Sequence, residues 1–122
     1  MPSNKKDRKM PSRFNVRNIL EGMDLKMEII KWVENDYSSN CDGDWEHGYG
    51  IRVCTIDNPG WYIKVNLQET PLENKRPFEN YVVERNENDW VHCRLKDGYF
   101  EAFGGPKNLN EMLEYFKQWA ES

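Results

Sequence analysis

The alternation of residues 61–68 constrains this chain more than any other feature. Trp61, Ile63, Val65 and Leu67 are interleaved with Tyr62, Lys64, Asn66 and Gln68. Successive side chains of a strand point to opposite faces of a sheet, so this segment builds one dry face and one wet face. A sheet with a wet face is of the antiparallel kind, because parallel sheets are covered on both sides. The neighbouring segments agree. Residues 49–56 read as a strand, and Asp57-Asn58-Pro59-Gly60 as a turn, with Pro fixing φ at one central position and Gly supplying a positive φ at the next. Residues 69–79 hold two prolines and many charges and read as a loop. Residues 81–85 and 90–96 are further strands, the second with Val91, Cys93 and Leu95 on one side and Trp90, His92 and Arg94 on the other. Asp97-Gly98 is a tight hairpin signal leading to a strand at 99–103, and Gly104-Gly105-Pro106 ends the sheet.

Helical spacing appears at both flanks of the strands. Leu25, Ile29, Trp32, Val33 and Tyr37 form a stripe, with Asp24 as the expected N-cap and Ser38-Ser39-Asn40 as the end. Leu109, Met112, Leu113, Phe116 and Trp119 form a second stripe, preceded by Asn108 and Glu111 at capping-box spacing. Hairpin connections without crossover helices predict an α+β fold. It consists of a single antiparallel meander sheet of about five strands, with an N-terminal and a C-terminal helix packed on its apolar face. At 122 residues the chain supports one core. Residues 1–22 are expected to be a basic, disordered leader, and residues 23–122 a single domain.

Composition narrows the functional classes. Charged residues make up 31% and mean hydropathy is -0.95, yet aromatics reach 13%, which predicts a compact, aromatic-rich core. There is no run of 18 apolar residues and no secretory pattern at the N-terminus, so neither a membrane span nor export is expected. Three cysteines, an odd number without CxxC spacing, predict free thiols and a cytoplasmic location. The first 17 residues carry Lys5, Lys6, Arg8, Lys9, Arg13 and Arg17 against Asp7 alone; the rest holds 20 acidic and 11 basic side chains, a net of -9. So acidic a domain repels nucleic acid and membrane surfaces and attracts basic proteins.

The segment Cys41-Asp42-Gly43-Asp44-Trp45-Glu46-His47-Gly48-Tyr49-Gly50 crowds carboxylates, aromatics and glycines together. As a calcium loop starting at Asp42 it fails, because His47 stands where Gly is needed and Val53 where Glu is needed. Zinc would want paired Cys/His spacing, and His92 and Cys93 point to opposite faces of one strand. No metal and no cofactor is therefore expected. Cys54 and Cys93 fall in strands as small buried hydrophobes, and Cys41 sits among carboxylates that blunt a thiol. Trp32, Trp61 and Trp119 belong to the core, whereas Trp90 lies on the wet face. For Trp45 two readings stay open, a plug at the end of the core or a protruding anchor.

The strings CDGDWEHGYGI, TIDNPGW and NDWVHC resemble the immunity protein 53 family of bacterial polymorphic toxin systems. The likeness runs from the first helix to the C-terminus. It implies a small cytosolic protein encoded beside a toxin, which it binds and silences. It implies no catalytic residue and no particular toxin.

Together these readings predict a binding protein rather than an enzyme, acting by stoichiometric blockade of a basic cognate toxin domain. No nucleic acid or membrane is expected as partner, and the oligomeric state is not set by the sequence. The expected interface is Asp42, Asp44, Trp45, Glu46, His47, Asp57 and Trp90. Two alternatives remain. One is a small enzyme using Asp44, Glu46 and His47 for acid/base or metal-assisted chemistry. In the other, the Cys41–Gly50 segment is only a junction and the partner site lies elsewhere, first around Trp90, His92 and Arg94.

Overall fold

The computed structural model of the protein describes residues 24–48 and 50–122. The expected disorder of the basic leader, the Asp24 cap, the Leu25 contact and the placement of Tyr49 lie outside the residues or side chains described. Helix α1 spans Asp24–Asn40, and a single 3-10 turn spans Trp45–His47. Strands β1 Ile51–Ile56, β2 Gly60–Asn66, β3 Tyr81–Asn86, β4 Asp89–Lys96 and β5 Tyr99–Gly104 follow, and helix α2 Leu109–Glu121 closes the domain. The strands form one antiparallel sheet in the order β1-β2-β5-β4-β3. The α+β architecture expected from the alternation is the one the chain adopts.

The order follows from the connections. β1 and β2 form one hairpin, while β3, β4 and β5 form a run of two more. Residues 67–80 carry the chain past the sheet to its far edge, and β5 then returns to pair with β2. Asp97 (φ 54°) and Gly98 (φ 85°) make the tight turn between β4 and β5.

The apolar face of the sheet supplies Ile63, Val65, Val91, Cys93, Phe100 and Ala102, all buried. Met112, Leu113, Phe116 and Trp119 of α2 and Ile29 of α1 close over them. Phe100 and Phe116 meet at 4.8 Å between ring centres, and Trp32 of α1 stands edge-on to Phe116 at 5.7 Å. Loop 67–80 is not merely a connection. Its Phe78 packs against Tyr115 at 5.4 Å and Trp119 at 5.5 Å, and Leu72 joins the same cluster.

Three local expectations change. Gly60 does not adopt a positive φ. It is needed because a Cβ there would collide with the backbone carbonyl of Gly104, where β2 and β5 pair at Trp61 and Gly104. Asn108 makes no capping box, having no side-chain cap bond. Its side chain is buried and latches α2 to β4 instead: Oδ1 accepts from the Trp90 N–H at 3.3 Å, and Nδ2 donates to Asp89 at 2.9 Å and to Glu111 at 3.2 Å. Cys54 is exposed rather than buried, because it stands on edge strand β1 and points away from the helices.

Candidate functional site

The Cys41–Gly48 segment is organised around its own backbone. Asp42 Oδ1 accepts from the N–H groups of Asp44 (2.9 Å) and Trp45 (3.0 Å). Glu46 reaches back to accept from the N–H groups of Asp42 (2.9 Å) and Gly43 (2.8 Å). Gly43 makes this tight reversal with φ at 97°. The amides of Trp45 and then Asp44 hold the Asp42 carboxyl below its ordinary range. Glu46 is lowered in the same way, by its own amide first and by those of Asp42 and Gly43. Two of the three carboxylates are thus engaged in shaping the loop, while Asp44 and His47 stay exposed.

Trp45 takes the plug position. It is only 3% exposed, its ring lies 5.6 Å from that of Tyr37, and its indole N–H donates to the Asn66 carbonyl. The loop therefore seals the end of the sheet where β1 begins and β2 ends. Asp57 lies in the turn at the other end of β1, roughly 20 Å away for a six-residue strand. The structure does not bring Asp57 together with Asp42, Asp44, Trp45, Glu46 and His47. Trp90 is remote from both, three strands across the sheet from β1.

Trp90 belongs to a different surface, the sheet face turned away from the helices. Cross-strand register sets the rows of that face. Cys54, Tyr62, Phe103, His92 and Val82 line up across all five strands. Beside them run Arg52, Lys64, Glu101 and Arg94. Tyr62, Trp90, His92, Arg94 and Phe103 are half-buried, and Val82 is exposed. The rings of Tyr62 and Phe103 lie 4.9 Å apart, and Trp90 stands edge-on to His92 at 5.2 Å. His92 Nε2 is 2.8 Å from Glu84 Oε2.

Glu101 anchors the middle of this face and is almost fully covered, at 9% exposure. Its Oε1 accepts from Arg94 Nε at 2.7 Å, and its Oε2 from the Tyr62 hydroxyl at 3.0 Å. Burial pushes the Glu101 carboxyl up, but the bonds from Arg94 and Tyr62 and the charges of Arg94 and Lys64 outweigh it and hold the group below its usual value. The Tyr62 hydroxyl is pushed up to about 12, by burial first and then by the Glu101 carboxylate it donates to. Arg94 also lies over the Phe103 ring, at 5.5 Å from its centre. Glu101, Tyr62 and Phe103 were not singled out from the sequence. The available signal was a lone carboxylate at the centre of the strand Tyr99–Gly104, on the side opposite Phe100 and Ala102.

Two hollows flank His92. One of about 430 Å³ is bordered by Glu84, Asn86, Glu87, Trp90 and His92. A smaller one of about 170 Å³ is bordered by Asn80, Val82, His92, Cys93, Arg94 and Phe103. Among the described residues no cluster of three or more His, Cys, Asp or Glu side chains is arranged to hold a metal. None of the described helices is long and apolar enough to cross a membrane.

Among curated proteins and among solved structures, none matches the chain. A family model does: that of Immunity protein 53, over residues 30–121, which takes in α1 from its second turn, the whole sheet and α2. With three quarters of its length matched, including most of α1, all five strands and α2, the chain belongs to the immunity protein 53 family.

Proposed function

We propose that this protein neutralises a cognate bacterial toxin domain by binding it stoichiometrically in the cytoplasm, as part of a polymorphic toxin system, with no catalytic step. Membership of an immunity family supports a toxin partner in general. The observation that carries the binding mode is that, among the described residues, both helices lie on one face of the sheet. The other face presents Tyr62, Trp90, His92, Arg94 and Phe103 half-exposed and in register. Tryptophan, tyrosine and arginine are the residues that most often dominate binding energy at interfaces. Of the residues expected at the interface, Trp90 lies on this face, whereas the Asp42–His47 loop supports the junction reading. The net charge of -9 over residues 18–122 supports long-range attraction to a basic toxin domain.

The test is titration of the toxin domain encoded in the neighbouring reading frame. Inhibition is expected to be complete at about one equivalent and unchanged by a chelator. Protection at a small fraction of the toxin concentration, with turnover, would overturn the blockade mechanism. No protection at any ratio would overturn the immunity reading for that pair.

A further inference from the structure

The sheet face turned away from the helices has the opposite sign from the domain that carries it. Residues 18–122 sum to -9. Yet the strand positions facing away from the helices include Arg52, Lys64, Arg94 and Lys96 against only Glu84 and Glu101. Of those two carboxylates, Glu101 is covered and engaged by Arg94 and Tyr62, and Glu84 contacts His92. Four cations against two carboxylates leave these strand positions net positive, set among Tyr62, Trp90, His92 and Phe103, whatever attraction the whole domain exerts at longer range.

Arg94 is the pre-set element. It spends its Nε–H on Glu101, and the Phe103 ring supports the guanidinium plane. Among the described residues its two terminal nitrogens have no hydrogen-bond partner, although its side chain is 41% exposed. A guanidinium fixed in this way keeps a donor edge directed outward, and the ligand that matches such an edge is a carboxylate. Alongside it is the hollow of about 170 Å³ bordered by Asn80, Val82, His92 and Phe103 as well as Arg94 itself. Asn80 adds an amide at the rim, and Val82 and Phe103 supply apolar walls for the stem of an acidic side chain.

We propose that Arg94, oriented by Glu101 and supported by Phe103, receives an aspartate or glutamate side chain of the toxin's docking segment in the hollow between Asn80, Val82, His92 and Phe103. The proposal rests on the immunity reading and adds the chemistry of the contact.

The probe is a Glu-rich octapeptide, compared with its Gln counterpart, a Lys octapeptide and a single-stranded RNA octamer. Each is titrated into the isotope-labelled full chain. The Glu peptide is expected to shift the Arg94 Nε–H resonance and the amides of Asn80, His92 and Phe103, with at least tenfold weaker response to the Gln peptide and none to the Lys peptide. R94Q is expected to abolish the shifts. Because R94Q leaves Glu101 buried opposite a neutral partner, the R94Q/E101Q double variant provides a folded control in which the same loss is expected. Equal binding of the Gln or Lys peptide, RNA preferred over the Glu peptide, or shifts that survive in the double variant would each overturn the proposal. In the toxin titration, R94Q is expected to weaken binding at least tenfold. Wild-type affinity there would remove Arg94 from the interface while leaving the immunity reading intact. Failure of the wild-type protein to bind the toxin, with the peptide shifts present, would instead count against that toxin as the partner.

Discussion

Trp45 donates its indole N–H to the backbone carbonyl of Asn66 at 3.1 Å, tying the exit of α1 to the end of β2 across 21 residues of sequence. The bond explains why a tryptophan stands in a loop crowded with acids. The ring closes the end of the sheet, and the N–H satisfies a strand-end carbonyl that would otherwise be left facing apolar surroundings. Trp45→Ala is therefore expected to cost about 3–5 kcal/mol of stability, the usual range for emptying a large aromatic site. Trp45→Phe keeps most of the packing and loses the bond, for about 1 kcal/mol. Denaturant unfolding measures both. Toxin affinity of whatever remains folded is expected to match wild type.

Charge reversal separates Asp44 from Glu46 although they are two residues apart. Asp44 is exposed, so Asp44→Lys is expected to leave the unfolding midpoint and the toxin association rate close to wild type. Glu46 accepts two backbone N–H groups, so Glu46→Lys is expected to destabilise the loop and lower the melting temperature. Stopped-flow association at low salt checks the binding half. A tenfold or greater slowing by Asp44→Lys in a fully folded protein would return the loop to the interface, since steering charges act on on-rates of that order.

Glu101 makes stability depend on acid. Its carboxyl is held below the ordinary value of 4.5, so the folded form binds its proton less readily than the unfolded chain. That contribution is present above the unfolded value and is lost as pH falls through the folded one. Thermal melts of wild type and Glu101→Gln are expected to differ most near neutrality and to converge as pH drops below about 4. A constant difference down to pH 2 would show that the carboxylate charge is not what matters.

The three thiols are expected to sort by position. Cys41 and Cys54 are exposed, whereas Cys93 is buried in the core and its thiol is pushed up to about 12, by burial above all. Timed alkylation of the native protein, read by mass spectrometry, is expected to modify Cys41 and Cys54 and to spare Cys93 until denaturant is added.

The sequence was most legible where a period repeats. The alternation of Trp61–Leu67 and the spacing of Leu109–Trp119 each report a buried face directly, and the strands and helices fall within one or two residues of their expected bounds. Residues whose roles depend on a remote partner were not legible. Gly60 looks like a turn glycine until Gly104 is placed against it. Phe78 looks like a loop residue until Tyr115 and Trp119 surround it. In the acidic loop the lone pairs of Asp42 and Glu46 go to backbone amides two to four residues away, which composition does not reveal. Arg94 and Glu101 illustrate the same limit: each is an ordinary strand residue alone, and they acquire a role only when β4 and β5 pair in register.

With both described helices on one side of the sheet, each strand has two separate inheritances. Val91 and Cys93 answer to the fold, while Trp90, His92 and Arg94, interleaved with them on the same strand, answer to whatever lies outside. Substitutions at the second set need not disturb the first. On the proposed reading, a lineage whose toxin changes can thus rewrite this face position by position without having to find a new way to fold.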